Sequence, residues 1–437
     1  MSHAEAYSAY AFVVALAVML ARRYPEGPRS RRERMIALLA AGAGAALVTG
    51  ATDTPWFGDY ESAYYPAGKL IFAAPALLYG GECAFGFVNL PLVAVPFVPF
   101  SLFPYRVAVA LFTAVGLWAI VACARSLASW SDATRGSVGP IFALFIANGP
   151  LWYSVREGNS THIVLLLLIG ALYALRDGKE LRAGGLLGLA ATVKLPLVLF
   201  VFYLAARMRF RAVLGFILAV VLLAVVSVLV HGFELHRLWA EQCLFPYAGK
   251  PVAGFNVQSL TGFLARLYGG DTYSWTPMAI RGSFKVVQHL LSAILALVVA
   301  SVFIRGGKPR GPSQTAVEFS AFLSFILLFS PLSWTHYFLV LLIPMALLLS
   351  GDIPLPRGRA WPFAWLVTLL LCSLPLRGFK VDMAAFKFVA DRVLASLHFF
   401  ATLVLLGILL RVRLEQRAKP EDARNDAQRK ENALSHR

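Results

Sequence analysis

One carboxylate stands where it can do chemistry, directly after the second apolar segment of the sequence. This residue is Asp59, and the surrounding stretch 56–65 is rich in aromatic residues. A carboxylate at the edge of an apolar segment can accept the proton of a substrate hydroxyl, which is the task of a general base. A lone aspartate in a loop is also explained by helix capping or solvation. The interpretation of Asp59 as a base therefore depends on which residues accompany it.

Other polar residues stand at the ends or breaks of later apolar segments. They are Arg156, Asn159 and His162; Lys194; Asn256, Gln258, Ser259 and Arg266; and Trp334 and His336. A cation can hold a phosphate, and a histidine can orient a carboxylate or change its pKa. Each residue alone is also explained by interfacial anchoring or by hydrogen bonds between helices. Their predicted convergence with Asp59 on one face is what indicates a site.

The composition requires a membrane. Of the 437 residues, 59% are hydrophobic and only 14% are charged, whereas globular proteins average about 25% charged residues. A soluble protein could not bury so much apolar side chain or cover its surface with so little charge. The same figures exclude disordered, collagen-like and disulfide-scaffold proteins. Long apolar runs between short charged loops predict an all-α, polytopic integral membrane protein.

Twelve apolar segments divide the chain, and several are shorter than the roughly 20 residues that a straight span needs. They are 7–21, 35–52, 105–123, 139–155, 161–176, 184–206, 212–231, 284–304, 317–334, 336–350, 361–376 and 393–410. We predict a bundle of about 11–13 transmembrane helices, some of them tilted, broken or re-entrant. An extra N-terminal helix and basic cytoplasmic loop (1–34) precede the transmembrane domain (35–410), and a disordered basic cytoplasmic tail (411–437) follows it.

Segment 184–206 is predicted to be a hairpin of two half-helices that meet at Lys194-Leu195-Pro196. Proline cannot continue the helical hydrogen bonds, and an isolated lysine in mid-bilayer is costly. In the loop 53–104, four prolines between 91 and 104 argue against a spanning helix. They favour short helices that lie along the membrane surface.

The net charge of +17 comes from basic residues beside the apolar segments, not from one face of a soluble domain. This distribution argues against nucleic-acid binding and follows the positive-inside rule. We therefore predict a multi-pass protein of the cell (inner) membrane with the loops 53–104 and 232–283 on the periplasmic side. The basic loop 377–392 must also lie outside and is an exception to the rule.

The four cysteines show no spacing typical of a zinc site. Cys83 and Cys243 both fall in the predicted outer loops and can pair, but we expect unpaired thiols. The sequence contains no pair of adjacent carboxylates of the Asp-x-Asp kind and no phosphate-binding glycine loop in a suitable context. The sequence therefore requires neither a metal nor a nucleotide cofactor.

Five short motifs occur in order along the chain. They are Asp59 with Tyr64-Tyr65 and Gly68, Gly158-Asn159, Lys194-Leu195-Pro196, Asn256-x-Gln-Ser-Leu running to Arg266, and Ser-x-Trp334-x-His336-Tyr337. The series resembles the polytopic C-type (GT-C) glycosyltransferases of family 87, the polyprenyl-phosphate-mannose-dependent mannosyltransferases. The resemblance covers residues 35–410, and the helix 7–21 is an addition to the family's usual plan.

The resemblance implies an inverting transfer of a hexose, mannose before others, from a polyprenyl-phosphate-sugar donor. The acceptor would be a hydroxyl of a lipid-linked or cell-envelope glycan, and Asp59 would be the general base. His336 would pair with Asp59 or contact the donor phosphate, and Lys194, with Arg156 or Arg266, would offset the charge of the leaving phosphate. The remaining substrate-binding residues would be Tyr64, Asn159, Asn256, Gln258 and Trp334.

Two alternatives remain open. One is a related polyprenyl-phosphate-dependent enzyme that transfers arabinose or another sugar, since such sugars would use the same base. The other is a transporter or flippase of lipids or glycolipids, which broken helices and an intramembrane Lys194 would suit. The absence of inverted repeats and the aromatic loops on one side argue against a transporter. In each case membrane lipids surround the protein and no nucleic acid is a partner.

Overall fold

The computed structural model describes residues 56–79, 86–130, 138–279, 282–375 and 384–434, with a few helical positions between 11 and 19. The α-helices of the continuous ranges are α1 (Tyr65–Ala73), α2 (Val98–Ser101), α3 (Tyr105–Ala128), α4 (Val138–Ile146), α5 (Gly149–Arg156), α6 (Thr161–Arg176), α7 (Glu180–Val193), α8 (Phe200–Ala206), α9 (Phe210–His231), α10 (Phe233–Trp239), α11 (Leu260–Leu267), α12 (Ser283–Gly306), α13 (Pro312–Phe329), α14 (Leu342–Leu349), α15 (Ala360–Ser373), α16 (Ala384–Arg392) and α17 (Leu397–Leu434).

Shorter helical turns join these helices. They are π-helical at Tyr60–Tyr64 and Ala240–Leu244, and 3₁₀-helical at Pro75–Leu77, Pro91–Phe97, Leu195–Leu199, Thr335–Leu341 and Leu394–Ser396. Within the described ranges there is no strand, only one isolated antiparallel bridge between Val257 and Trp334. The prediction of an all-α protein is confirmed. The 3₁₀ turn Pro91–Phe97 and the short helix α2 agree with the prediction that the proline-rich stretch 91–104 forms no spanning helix.

Several helices have the length and apolar composition needed to cross a bilayer. Five qualify singly, namely α3, α9, α12, α13 and a stretch of α16 and α17 (Phe386–Arg417), and α4 with α5 forms a sixth, bent by 53°. Five shorter apolar helices accompany them. Large apolar side chains on α9 and α12 remain exposed along most of their length, as expected for surfaces that face lipid. The chain is therefore a polytopic membrane protein, while the helix count of about 11–13 stays a prediction because 35–52 lies outside the described residues.

Helix α13 forms the centre of the bundle. Every residue from Thr315 to Leu328 is buried, and α6, α12, α14 and α17 surround the helix. On one flank, α7 and α9 pack at close range because glycines replace larger side chains. A Cβ on Gly184 would overlap the carbonyl oxygen of Ala212. Small residues at such crossings let membrane helices gain van der Waals contact.

The break predicted in segment 184–206 is confirmed. Helix α7 ends at Val193, and Lys194 adopts an extended conformation (φ −130°, ψ 92°) before the 3₁₀ turn. Arg209, beyond α8, lies 3.4 Å from the carboxylate of Glu180 at the start of α7. The chain therefore returns to the end from which it started, and Lys194 stands at the tip of a hairpin.

A buried ionic cluster of Arg207, Glu318 and Arg413 joins the helices at this same end of the bundle, called the basic end below. Arg207 donates to both carboxylate oxygens of Glu318, over 2.8 and 2.6 Å, and Arg413 donates to one of them over 2.7 Å. The same two arginines also donate to the carbonyls of Phe303 and Gly307 at the end of α12. The cluster thus ties α8, α12, α13 and α17 together.

Helix α17 runs to Leu434, into the predicted cytoplasmic tail 411–437, whose disorder stays a prediction. One expectation from the sequence differs from the structure. Unpaired thiols were expected, but Cys243 is disulfide-bonded, whereas Cys123 and Cys372 are free and buried. The Cys243 sulfur lies 3.8 Å from the carbonyl of Phe87, so the two large loops touch, which sequence separation does not reveal. Cys83 lies outside the described residues.

Candidate active site

The site lies at the end of the bundle opposite the ionic cluster, called the loop end below. There, two backbone hydrogen bonds join the segment around Asp59 to the turn that follows α5. The amide of Phe57 donates to the carbonyl of Arg156 over 2.6 Å, and the amide of Tyr60 donates to the carbonyl of Glu157 over 3.1 Å. These bonds fix the backbone on both sides of Asp59. The predicted contact between the Asp59 stretch and the 156–162 stretch is therefore present in the structure.

Gly158 makes this close approach feasible. Its φ of +65° lies in the left-handed region, which residues with a Cβ rarely adopt. A Cβ at this position would also lie 2.5 Å from the Cβ of Tyr60. The backbone therefore requires glycine at position 158. The turn that Gly158 makes also fixes the position from which the side chain of Asn159 extends.

Asn159 connects the carboxylate of Asp59 to the ammonium group of Lys194. Its Nδ2 donates to Asp59 Oδ2 over 2.6 Å, and its Oδ1 accepts from Lys194 Nζ over 3.1 Å. The same Oδ1 accepts from the backbone amide and from the hydroxyl of Thr161, over 3.1 and 2.7 Å. Three donors therefore fix the oxygen side of the amide, and the nitrogen side must face Asp59. One oxygen of Asp59 is thereby held and the carboxylate is oriented.

The surroundings of the Asp59 carboxyl shift its pKa in opposite directions. Burial raises the pKa of the Asp59 carboxyl, whereas the hydrogen bond from Asn159 and the positive charge of Lys194 lower it in part. A carboxylate with a raised pKa binds a proton more tightly than an ordinary aspartate does. The hydrogen bond and the nearby positive charge both favour the ionised form of the Asp59 carboxyl, against the effect of burial.

Tyr64 packs beneath this group. Its ring stacks on Phe97 with a centroid distance of 4.6 Å, and its hydroxyl lies 3.5 Å from the hydroxyl of Ser160. The tyrosine is buried and close to Asp59. The aromatic residues around Asp59 therefore form an apolar surface next to the carboxylate, and Tyr64 is part of that surface.

His336 stands at the start of the 3₁₀ turn Thr335–Leu341 and faces the same region. Its ring stacks on Tyr153 of α5 at 6.2 Å and meets Tyr337 edge-on at 4.9 Å. Lys194 Nζ lies 4.7 Å from the centre of the Tyr337 ring. The His336 ring thus packs between the rings of Tyr153 and Tyr337, and Tyr337 lies between His336 and Lys194. A direct pair with Asp59 is not among its contacts in the described part of the chain.

Three extended segments run side by side next to His336 and form what is called the loop wall, made of 251–258, 272–278 and 333–335. The amide of Thr335 donates to the carbonyl of Asn256 over 2.7 Å, and Trp334 pairs with Val257 across the isolated bridge. The side chain of Asn256 accepts from the indole of Trp275 over 2.7 Å and lies near the hydroxyl of Tyr153. Asn256 and Trp334 therefore lie with His336 in one wall of the site.

Gln258 and Arg266 are not brought to the site. Both side chains are fully buried and bind backbone groups of the loop wall and its surroundings. Gln258 bonds to the carbonyls of Phe255 and Ala395 and to the amide of Phe399; Arg266 donates to the carbonyls of Ala253, Gly254 and Val257 and to the Ser396 hydroxyl. These two residues hold the loop wall in shape. The expectation that they meet the donor is not supported by this geometry.

Arg156 lies at the border of the site, and His162 lies within the helix packing beside it. The Arg156 guanidinium is buried in the last turn of α5 and lies 5.7 Å from the ring of Trp56, next to the Asp59 segment. His162 is buried in α6, where its Nδ1 lies 3.2 Å from the Ser154 hydroxyl and its ring packs against α3. Arg156 thus borders the site, whereas His162 contributes to helix packing.

The described residues contain no group of three or more histidine, cysteine, aspartate or glutamate side chains that could hold a metal ion. The sequence reasoning missed Tyr153, Thr161 and Trp275, which contact the predicted residues directly. A signal existed for two of them. Thr161 shares a turn with Asn159, and Tyr153 precedes Arg156 by one helical turn, on the same side of α5. Nothing in the sequence linked Trp275 to Asn256.

Comparisons with known proteins agree with this picture. A family model described as glycosyltransferase family 87 matches residues 87–331, which is more than half of the chain and includes Asn159, Lys194 and Asn256. Two curated relatives are named polyprenol-phosphate-mannose-dependent alpha-(1-2)-phosphatidylinositol pentamannoside mannosyltransferase. The protein of Mycobacterium tuberculosis is 26% identical over 80% of either chain. That of Mycolicibacterium smegmatis is 31% identical over 65% of this chain and 66% of its own.

No solved structure matches the chain. The family match, supported by the two relatives and by the helical membrane fold, settles the assignment that the motifs suggested. This chain belongs to glycosyltransferase family 87 and is a membrane glycosyltransferase.

Proposed function

We propose that the chain transfers a mannosyl group from a polyprenol-phosphate-mannose donor to a hydroxyl of a glycolipid of the phosphatidylinositol mannoside kind. The printed names of both relatives support this donor and this acceptor class. The observation that carries the mechanistic part is the hydrogen-bonded series Asp59–Asn159–Lys194 at the loop end. It holds a base and a cation at a fixed separation, as transfer from a lipid phosphate requires.

In the proposed reaction, Asp59 accepts the proton of the acceptor hydroxyl. The acceptor oxygen forms a bond to the anomeric carbon while the bond from that carbon to the phosphate oxygen breaks. The electron pair leaves with the polyprenyl phosphate, and the configuration of the sugar inverts because the displacement takes place in one step. Lys194 stabilises the negative charge that develops on the departing phosphate, an electrostatic contribution of the kind that often dominates catalysis.

The supporting residues divide into two groups. His336, Asn256 and Trp334 line the loop wall beside Asp59 and are proposed to contact the sugar, whereas Tyr64 supports the carboxylate from below. Arg156 is proposed to assist in holding the donor phosphate. Gln258 and Arg266 are proposed to shape the loop wall without touching substrate, because their polar atoms bind the protein backbone.

We also infer that the loop end faces the periplasm. Basic residues gather at the opposite end, where Arg207, Arg209 and Arg413 lie, and the positive-inside rule places such an end in the cytoplasm. The disulfide at Cys243 is a second, independent argument, since disulfides persist in oxidising compartments. A lipid-linked donor suits this side because nucleotide sugars are made in the cytoplasm.

The test is Asp59→Asn, with Glu61→Gln as the matched control. Glu61 is an exposed carboxylate two residues further along the same segment. Purified protein in lipid nanodiscs is given a short-chain polyprenyl-phosphate-mannose and octyl α-mannoside, and the disaccharide product is measured by mass spectrometry. Asp59→Asn is expected to lower kcat by roughly a thousand-fold or more, whereas Glu61→Gln should retain wild-type turnover.

Equal turnover by Asp59→Asn and the wild type would contradict the base assignment. The same protein in proteoliposomes tests the alternative, because transport of the intact donor across the bilayer without any product would favour a carrier instead. Inversion is checked on the wild-type product, because a retained anomeric configuration would exclude the single displacement.

A further inference from the structure

The ammonium group of Lys194 has few polar partners for a buried charge. The residue is only 7% exposed, and its Nζ donates to Asn159 Oδ1 over 3.1 Å. Within the described part of the chain, this ammonium has no second hydrogen bond and no ion pair with a carboxylate. Asp59 acts on it only through electrostatics at longer range. A cation removed from water with a single acceptor needs a further stabilising group.

The aromatic ring of Tyr337 supplies that group. Lys194 Nζ lies 4.7 Å from the centre of the ring, which is within the range of a cation–π interaction. Lys69 stands at a similar distance from Tyr65, 4.5 Å, but Lys69 is exposed and water solvates its charge. Cation–π interactions are strongest where water is excluded. The contact with Tyr337 therefore stabilises its lysine far more than the contact with Tyr65 does.

The position of the Tyr337 ring is fixed by the segment that carries it. The amide of Tyr337 donates to the carbonyl of Trp334 over 2.8 Å, and Trp334 is paired with Val257 across the isolated bridge. The ring itself meets His336 edge-on at 4.9 Å. The loop wall thus holds the ring in place, and the ring needs no ordering when a substrate binds.

An aromatic partner has a different effect on Lys194 from that of a carboxylate. A carboxylate would cancel the positive charge that a phosphate needs, whereas a neutral ring stabilises the ammonium and leaves its net charge intact. An ammonium has three N–H donors. Asn159 and the ring face can take two of them, so the third remains for a phosphate oxygen. The pair of Asn159 and Tyr337 therefore suits a lysine that must stay charged and keep a donor for its ligand.

We propose that Tyr337 is a positioning residue for Lys194: its ring face holds the buried ammonium where it stabilises the departing phosphate of the lipid-linked donor. This inference rests on the proposed function, which gives Lys194 that task, and adds the residue that keeps the lysine charged and in place. Tyr337 acts through Lys194 and through the π-electrons of its ring. Removal of the ring must therefore matter only while the lysine is present.

The first experiment measures kcat/KM for a short-chain polyprenyl-phosphate-mannose and the KM for octyl α-mannoside in wild type and three variants. Tyr337→Leu removes the ring and should lower kcat/KM for the donor by roughly thirty-fold, with a change of less than about two-fold in the acceptor KM. Tyr337→Phe keeps the ring face and should stay within about three-fold of wild type. Tyr173→Leu is the matched control, expected to change neither quantity by more than about two-fold. Tyr173 is also half-buried beneath a cation, 4.3 Å from the guanidinium carbon of Arg176, but it lies near the basic end.

A double-mutant cycle separates positioning from a merely structural role. Tyr337→Leu is introduced once into the wild type and once into Lys194→Met, and the two losses of kcat/KM are compared. If the ring acts through the ammonium, the loss caused by Tyr337→Leu should shrink to less than about three-fold when Lys194 is absent. If the ring only packs the turn that carries His336, the loss is the same in both backgrounds.

Equal losses in the two backgrounds overturn the inference, as does a Tyr337→Phe variant as impaired as Tyr337→Leu. If the leucine variant does not fold, phenylalanines with one, two and three ring fluorines at position 337 make the same decision. Fluorine withdraws electron density from the ring face and barely changes its size, so kcat/KM must fall stepwise, and a constant value overturns the inference.

The proposed function fails separately from this inference. If the wild-type protein forms no product from the mannosyl donor, or if Lys194→Met turns over like the wild type, the role proposed for Lys194 is overturned and this inference with it. An impaired Lys194→Met together with a Tyr337→Leu variant that equals Tyr173→Leu overturns this inference alone.

Discussion

Asn159→Ala tests the arrangement at the centre of the site. The substitution removes the 2.6 Å hydrogen bond to Asp59 and the acceptor of the Lys194 ammonium. It also removes the acceptor of the Thr161 amide and hydroxyl at the start of α6. A hydrogen bond to a charged group contributes about 1.5–3 kcal/mol, so the loss of transition-state stabilisation should lower kcat/KM by about ten- to a hundred-fold at neutral pH.

The pH dependence of that loss identifies its cause. Only ionised Asp59 can accept a proton, so kcat/KM falls as the pH drops below the pKa of this carboxyl. Burial raises this pKa and the bond from Asn159 lowers it in part. Without Asn159 the pKa of Asp59 rises further, and the acid limb of the kcat/KM profile must move to higher pH. The loss of kcat/KM in Asn159→Ala is then largest at acidic pH and smallest at alkaline pH.

The assay is the pH profile of kcat/KM for the polyprenyl-phosphate donor, from wild type, Asn159→Ala and Asn148→Ala. Asn148 is also a buried asparagine, but its side chain accepts from the amide of Leu151 and caps α5. Losing such a cap costs about 1 kcal/mol of stability and should not move the acid limb. An acid limb that stays in place in Asn159→Ala, or moves to lower pH, would refute the role assigned to Asn159.

Two more substitutions test other parts of the molecule. Lys194→Met removes the charge but keeps an apolar stem; kcat/KM for the donor should fall by about a hundred- to a thousand-fold, and the acid limb should move to higher pH because the charge of Lys194 stabilises ionised Asp59. A comparable loss in Lys179→Met, an exposed lysine, would contradict this. Glu318→Gln leaves two buried arginines without their counter-ion, and thermal unfolding in detergent should show a loss of about 3–5 kcal/mol. Glu241→Gln, from the exposed pair with Arg237, should cost about 0–1 kcal/mol, and equal losses would argue against the cluster's role.

The sequence predicted those features that depend on local composition. The membrane fold follows from apolar runs that no soluble protein could bury. The break at Lys194 follows from Pro196 and from the cost of a lysine in the bilayer, both readable at the position itself. The grouping of Asp59, Asn159 and Lys194 was predicted from the side of the membrane on which each segment ends, and these three side chains are hydrogen-bonded in the structure.

Features that depend on distant partners could not be predicted in this way. In a motif, Gln258 and Arg266 look the same whether they face a substrate or a carbonyl, and their partners near 395–399 belong to another helix. In the sequence, Glu318 is an acid near the start of an apolar segment. Its partners Arg207 and Arg413 belong to other helices, so the ionic cluster could not be predicted. Trp275 resembled any interfacial tryptophan, since its contact with Asn256 joins two segments of an irregular loop.

The ionic cluster also bears on how the bundle is completed during biosynthesis. Arg207 lies 111 residues before Glu318 and Arg413 lies 95 residues after it, and a nascent chain leaves the ribosome from its N-terminus. The acid therefore enters the bilayer when its first arginine is already there and the second has not yet been translated. Arg413 then adds a further hydrogen bond to a carboxylate that Arg207 already neutralises, so insertion of the earlier helices and closure of the bundle by α17 are successive events.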